Sequence, residues 1–302
     1  MKKVSVIIVN YNGKDTLFEC LNNLTRYINN IEVIVFDNAS PDGAAVMVEK
    51  SFPDVVLIKS DTNKGIAYGY NRALKKAAGE YILYLGSDAF PSQDTLDGLI
   101  SFLNKNDDVA LVTPKLVDRQ GSVDMDAHRG FPTPWRALSH FVGLGKLFPN
   151  TKFFNSYFLG YKDMTTTHEI DACISHFMLV KKEAVESIDG WDESFFVYGE
   201  DIDFCYRLKE KGYKIMYLPE FEVLHYKGTT VGVRKNTSTI TKASLKTKID
   251  MKKASVNAME IFYKKHYTSL YPKALTLIVL IGIKLMFWYR IAIFKIRNIY
   301  AK

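Results

Sequence analysis

Apolar residues over the first ninety positions come in short runs separated by polar turns. Val4 to Val9 (VSVIIV) is nearly unbroken and rich in β-branched side chains, the pattern of a strand buried on both faces of a parallel sheet. It closes in Asn10-Tyr11-Asn12-Gly13, a loop signal. Lys14 to Tyr27 then places Leu17, Cys20, Leu21 and Leu24 at helical spacing. A second strand from Glu32 to Phe36 ends in the turn-dense Asp37-Asn38-Ala39-Ser40-Pro41-Asp42-Gly43. The pattern continues with a helix over Ala44 to Lys50, a strand over Val55 to Lys59 and a turn at Asn63-Lys64-Gly65. A helix from Ile66 to about Ala78 and a strand from Tyr81 to Leu85 follow, ending at Gly86-Ser87-Asp88.

Strands alternating with helices imply βαβ units, right-handed crossovers and a mostly parallel, Rossmann-like sheet flanked by helices, an α/β class. Ligands of such sheets bind beyond the carboxyl ends of the strands. Tyr11, Asp37, Asn63 and Asp88 all sit just past strand ends, which predicts one shared cleft.

The rhythm changes after Ser92. Val109 to Thr113 reads as a strand, and Gly121 to Asn155, with Pro132, Pro134 and Pro149, as loop. Ile170 to Val180 reads as one strand, followed by a short helix near Lys182 to Ile188. A helix spans Asp201 to Lys211 with Gly212 as its stop, and strands over Tyr213 to Tyr217 and Glu220 to His225 follow. Asn236 to Tyr267 is polar, basic and helical in pattern. Ala274 to Phe294 is strongly apolar but interrupted by Lys284 and Arg290. A central lysine costs a spanning helix about 2.5–3.5 kcal/mol, against a gain of about 0.3–0.6 for each apolar residue. The reading is an in-plane interfacial helix, with Lys284, Trp288, Ile291 and Lys295 along one face; a spanning helix and a buried soluble helix are the alternatives.

Charge divides the chain in the same place. The 302 residues carry a net +7, but Lys227 to Lys302 holds 16 Lys and Arg against two acids, a net +14, leaving −7 on the remainder. This suggests a body at 1–230 and a basic helical extension at 231–302 whose partner is an anionic surface. The apolar run from Ala274 favours a membrane over nucleic acid. Cys20, Cys173 and Cys205 are far apart, with no CxxC pair, which argues against a disulfide framework or zinc site and for a reducing compartment. The six-residue apolar run at the N-terminus is too short for a signal-peptide core. Together these place the chain in the cytoplasm, peripheral or monotopic at the inner face of the cell membrane.

Each polar position has a structural and a chemical reading. Asp37 can close an Asx-turn or accept from a ribose hydroxyl or base N–H. Asn63, Gly65 and Asn71 can be turn and helix-surface residues, or a place where backbone approaches a ligand closely. Asp88 can cap, or bind a hard divalent cation bridging substrate phosphates; His225, after an apolar run, can be structural or a further ligand. Phe195 to Arg207 (FFVYGEDIDFCYR) sets Glu200, Asp201 and Asp203 among aromatics at a helix start. There the helix dipole favours acids and keeps a carboxylate ionised, as a general base requires.

Taken in order, VSVIIVNYNG, VIVFDNASPDG, NKGIAYGYNRALKKAAGEYILYLGSDA, RGFPTP, IDGWDESFFVYGEDIDFCYRLKEKGY and LHYKGTT resemble family 2 glycosyltransferases with the GT-A fold, rhamnosyltransferase-like bacterial branch. The resemblance spans about residues 4–230. It implies that Tyr11 packs on a nucleotide base and that Asp37, Asn63 and Gly65 bind base or ribose, with Asn71 and Ser87 completing the donor site. It implies Mg²⁺ or Mn²⁺ at Asp88, with His225; Asp201 as the base; and Glu200, Trp191 and Phe196 at the acceptor. The implied activity is inverting transfer from a nucleotide-diphosphate sugar, dTDP-rhamnose first and a UDP-hexose second, to a lipid-linked saccharide in cell-surface polysaccharide synthesis. The chain departs from the family at Gly86-Ser87-Asp88, where Asn-Pro-Asp or Asp-x-Asp is usual, and at Ser175-His176, where a Gly-Ala pair is usual. A sugar-nucleotidyltransferase would carry a Gly-rich loop where Asn10-Tyr11-Asn12-Gly13 stands. A non-catalytic sugar-nucleotide or glycan-binding module is the other alternative.

Overall fold

A computed structural model describes residues 3–226 and 245–299. In chain order the first half runs β1 (Val4–Asn10), α1 (Lys14–Tyr27), β2 (Ile31–Asp37), α2 (Ala44–Ser51), β3 (Val56–Lys59), α3 (Ile66–Leu74), β4 (Tyr81–Leu85), β5 (Ala89–Phe90) and α4 (Gln93–Lys105). The second half runs β6 (Val109–Val117), α5 (Pro134–Phe141), α6 (Leu144–Leu147), β7 (His168–Ile170), β8 (Phe177–Lys181), α7 (Lys182–Ser187), α8 (Glu200–Glu210), β9 (Lys214–His225), α9 (Leu245–His266) and α10 (Lys273–Ile299).

The strands form one sheet in the order β3-β2-β1-β4-β8-β6-β9-β5, with β7 also on β9. From β3 to β4 every pairing is parallel. Beyond β4 the sheet is mixed: β8 lies antiparallel to both neighbours, β6 and β9 are parallel, and β5 and β7 run antiparallel to β9. The parallel expectation therefore describes the N-terminal half, and the whole is a mixed α/β sheet.

Period-two alternation sorts the side chains into two cores. Val4, Val6 and Ile8 of β1, with Tyr81, Leu83 and Leu85 of β4, join α1, α2 and α4 on one face. Ile7, Ile82 and Tyr84 join α3, α7 and α8 on the other. Both faces of β1 and β4 are covered, which is why their sequences are almost wholly apolar.

Several boundaries differ from the expected ones. Helix α3 stops at Leu74, four residues early. The strand expected over Ile170 to Val180 is two short strands, because the chain between them leaves the sheet to line the cleft described below. The two strands expected over Tyr213 to His225 are one, bent by a register shift opposite Pro114 and Lys115. The loop expected over Gly121 to Asn155 holds α5 and α6. Pro134 begins α5 rather than breaking it, since proline at the first helical position lacks only an N–H the helix does not use.

In the basic extension, residues 236–244 of the expected helical stretch lie outside the described residues. Helices α9 and α10 pack on each other and on Phe195 through Val256, Phe262, Tyr263, Tyr267 and Ile283. Lys273–Ile293 is long and apolar enough to cross a membrane by length and composition. On it Lys284 and Trp288 are exposed but Ile291 is buried, so the expected single face is divided.

Candidate active site

The loops after β1, β2 and β3 are laced together at the carboxyl edge of the parallel strands. Asn10 Nδ2 donates to Asp37 Oδ1 at 3.3 Å and to Ser40 Oγ at 3.0 Å, and Ser40 N donates to Asp37 Oδ2 at 3.0 Å. Asn38 Nδ2 donates to Asn63 Oδ1 at 2.9 Å and to Gly65 O at 3.1 Å, while its own Oδ1 accepts from Lys64 N at 2.9 Å. Gly65, at φ 89°, lets Ile66 N reach Phe196 O at 2.9 Å; a Cβ there would sit 2.4 Å from that oxygen. These ties hold Tyr11, Asn38, Asn63, Gly65 and Phe196 on the wall of a cavity of about 1570 Å³.

Four expected residues sit elsewhere. Asp37 is buried, with both carboxylate oxygens engaged by Asn10 and Ser40, and braces the wall from behind. Asn71 bonds the Trp191 backbone in both directions, through Nδ2 to O at 2.8 Å and from N to Oδ1 at 2.9 Å, and so fixes the segment leading to Phe196. Trp191, expected at the acceptor, is 3% exposed and stacks on Phe204 at 4.3 Å beside Tyr70 and Tyr84. Its size and apolar surface are spent in the core beneath the cleft. Asp88 is fully buried, next to Ser87, which does line the cavity.

Strand pairing assembles a three-residue cluster around Asp88. The β5–β9 bridge sets Ala89 opposite His225, and Gly86 N donates to His176 O at 3.0 Å. Ligating atoms of Asp88, His176 and His225 consequently lie within 4.8 Å of one another. His225 Nδ1 faces Asp124 Oδ2 at 3.0 Å and its Nε2 faces Asp88 Oδ1 at 3.4 Å. Burial disfavours charge on His225, but Asp124 and Asp88 outweigh it and raise the imidazole to about 9. Burial and the charge of His225 lower His176, whose Nδ1 is buried without a hydrogen-bond partner. Two imidazoles and a carboxylate, with Asp124 orienting one ring from behind, suit a divalent cation. His225 would release its proton on binding one.

Across the cavity, Gly199 at φ 80° turns the chain into α8, whose first residues are Glu200 and Asp201. Asp201 Oδ2 pairs with Arg129 Nη2 at 2.5 Å, both side chains nearly buried, and the same Nη2 reaches Cys173 O at 3.0 Å. Glu200 Oε1 lies 3.5 Å from Ser175 Oγ, and its Oε2 is buried without a partner. Burial, then the neighbouring charge of Asp201, pushes Glu200 up to about 8, so it is largely protonated near neutrality. Asp203, two residues on and so on the opposite face of α8, points away from the cavity toward α9. The site thus pairs a protonated acid with an arginine-bound carboxylate, facing the loops after β1, β2 and β3 and a candidate metal cluster. Sequence reasoning did not assign His176, Asp124, Ser175 or Arg129 to it. Their signals were the Ser175-His176 departure and the arginine that opens RGFPTP.

An α/β sheet with a cleft at the carboxyl edge of its parallel strands, a candidate metal-ligand cluster and an acid pair has the arrangement of an enzyme active site. Comparison with known proteins narrows this. The profile of Glycosyl transferase family 2 matches residues 5–189, and the chain belongs to that family. It is 26% identical over 213 residues to the N-acetylglucosaminyl-diphospho-decaprenol L-rhamnosyltransferase of Mycobacterium tuberculosis, covering 67% of this chain and 68% of the relative. It is 27% identical to rhamnosyltransferase WbbL of Escherichia coli over 74% of this chain and 83% of the relative. Among solved structures, mannosyltransferase PcManGT from Pyrobaculum calidifontis, in complex with GDP-Man and Mn²⁺, superposes with a TM-score of 0.54. That match has 20% identity and covers 99% of this chain and 88% of that one. The chain is therefore a glycosyltransferase of the rhamnosyltransferase-like branch with the GT-A fold.

Proposed function

We propose that this enzyme transfers a sugar, with inversion, from a nucleoside-diphosphate donor to a hydroxyl of a lipid-linked saccharide in cell-surface polysaccharide synthesis. The observation that carries the reading is the cavity lined by the Tyr11–Asn38–Asn63–Gly65 wall, by His176 and His225, behind which Asp88 is buried, and by the Glu200–Asp201 pair. Tyr11 stacks on the base, and the Asn38 and Asn63 side chains with Gly65 hold base and ribose. Asp201 takes the proton of the acceptor hydroxyl as that oxygen bonds to the anomeric carbon. The carbon–oxygen bond to the diphosphate breaks, its electron pair leaves with the nucleoside diphosphate, and the anomeric configuration inverts. Arg129 orients Asp201, and protonated Glu200 donates a hydrogen bond to the acceptor sugar. Asp88, His176 and His225 would hold a divalent ion, whose chemistry is neutralisation of the diphosphate charge. Of the two ions expected, Mn²⁺ suits two imidazole ligands better than Mg²⁺.

Similarity to two rhamnosyltransferases supports dTDP-rhamnose as donor, and a UDP-hexose is second. The basic, apolar extension and the lipid-linked acceptor class of the Mycobacterium tuberculosis relative support a site at the cytoplasmic membrane face, with 231–302 as the membrane-associating unit. A panel of nucleotide sugars, scored for hydrolysis and thermal stabilisation, identifies the donor. Asp201→Asn should then abolish transfer while nucleotide-sugar affinity stays within about threefold, because the isosteric amide retains shape but not basicity. Near-wild-type turnover in that variant overturns the base assignment.

A further inference from the structure

The cavity continues past the acid pair into a region the transfer chemistry does not use. Its outer walls are α5 on one side and α10 on the other, with Trp135, Leu138, Phe141, Ile278, Leu285 and Tyr289 among the lining side chains. All six are exposed despite facing an internal space, so the groove opens outward between two apolar rims. An unpaired cation sits inside it. Arg290 is half-buried, and among the described residues no carboxylate pairs with it. Its Nη1 reaches only Ser255 Oγ at 3.4 Å, and its guanidinium lies over the Phe141 ring at 5.6 Å. Burial lowers its affinity for the proton with nothing to offset the loss. A half-buried guanidinium lacking an anionic partner is costly unless an anion is supplied from outside. His140, on the same wall, is held below the ordinary histidine range by burial and by the charges of Lys146 and Arg290. It is therefore a neutral hydrogen-bonding group beside the arginine.

We propose that the α5–α10 groove is the subsite for the lipid carrier of the acceptor, with Arg290 on the carrier's phosphate and its prenyl chain lying between the two helices. This rests on the glycosyltransferase reading with a lipid-linked acceptor, and specifies which side chains hold the lipid. Three features commit the groove to a prenyl diphosphate rather than to bulk phospholipid. The arginine sits inside the cavity, not on the outer surface. The apolar walls run from it toward the exposed rims. Asp201 and Arg290 line the same cavity, so a carrier anchored at Arg290 presents its sugar to the acid pair.

Binding by the full chain in detergent tests this without relying on turnover. The probe is farnesyl diphosphate, with farnesol, inorganic diphosphate and phosphatidylglycerol vesicles as separate arms. Arg290→Gln should weaken farnesyl diphosphate binding by about tenfold or more, the worth of one charge-assisted contact. It should leave farnesol binding within about twofold, and Arg290→Lys should recover part of the loss. Leu138→Asp, in the opposite wall, should weaken farnesol and farnesyl diphosphate alike. Equal farnesyl diphosphate affinity in wild type and Arg290→Gln overturns the proposal. So does a loss shared equally by the vesicles, which would place Arg290 on a bulk-lipid surface. If no nucleotide sugar is turned over while the Arg290-dependent binding holds, the proposed transfer reaction fails and the prenyl diphosphate site stands.

Discussion

Replacing Asp203 by asparagine tests how the C-terminal helices are held to the catalytic body. Asp203 lies on α8, two residues after Asp201, and is fully buried. Its Oδ2 accepts from Arg207 Nε at 2.8 Å, and its Oδ1 lies 2.7 Å from both His266 Nε2 and Lys265 Nζ of α9. Burial works against the carboxylate, but the His266 hydrogen bond and the charges of Arg207 and Lys265 prevail and hold it at about 2. Against an ordinary aspartate near 3.8, this corresponds to about 2.5 kcal/mol in favour of the ionised form. Asparagine has the shape of the neutral form and leaves three cationic or donor groups under-satisfied. The expected destabilisation at pH 7 is therefore about 2–4 kcal/mol.

The sign follows from the direction of the shift. A carboxyl held lower in the folded than in the unfolded chain stabilises fully above the unfolded value and loses that contribution as pH falls from about 4 to about 2. Urea unfolding of both proteins in detergent should give a difference that shrinks as pH falls from about 4 to about 2. Hydrogen exchange adds a local readout: amides of α9 should lose protection before those of β1 and β4, because the lost contacts join α8 to α9. A difference below about 1 kcal/mol at pH 7, or one that does not shrink below about pH 4, refutes the reasoning.

Three further substitutions test other parts of the structure. Asp124→Asn removes the partner that orients His225 from behind, and Mn²⁺ affinity measured by calorimetry should fall about 10–100-fold; unchanged affinity removes that orienting role from Asp124. Gly65→Ala places a Cβ against Phe196 O at a positive φ. It should cost about 1–3 kcal/mol in thermal unfolding and weaken nucleotide binding more than prenyl-lipid binding. Ser92 caps α4 by accepting from Thr95 N at 3.1 Å, and Ser92→Ala should cost about 1 kcal/mol in urea unfolding without changing transfer kinetics.

How much of this was legible in the sequence depended on whether a residue's neighbours were local. Strands β1 and β4 were readable to within a residue because both their faces are covered, so their composition alone carries the signal. Strand β9 was not, because its partners change along its length and its burial alternates irregularly where the register slips. Helix α5 was hidden by prolines that mark its start. The Asp88 cluster draws on the chain near β5, β8 and β9, and only strand order, which periodicity does not encode, brings the three together. His176 stood out in the sequence as a departure from the family. The fold makes it the neighbour that a single aspartate lacked. Trp191 shows the reverse error: an aromatic close to an acidic motif was assigned to a cleft when its surface was needed in the core.

The C-terminal extension, set apart in the sequence by charge and hydropathy, packs on the body through α9 and α10. Phe195 packs with Val256, Phe262 and Ile283, and the next residues, Phe196 to Asp201, form one wall of the cavity. The aromatic contact that seats α9 and α10 thus also sets the turn at Gly199 from which the acid pair projects. Asp203 repeats the link one helical turn later, through Lys265 and His266. A displacement of α9 and α10 would therefore be felt at the acid pair, through Phe195 and through Asp203. The net +14 of the tail is carried by a segment whose described helices are joined to the cavity wall at Phe195 and Asp203.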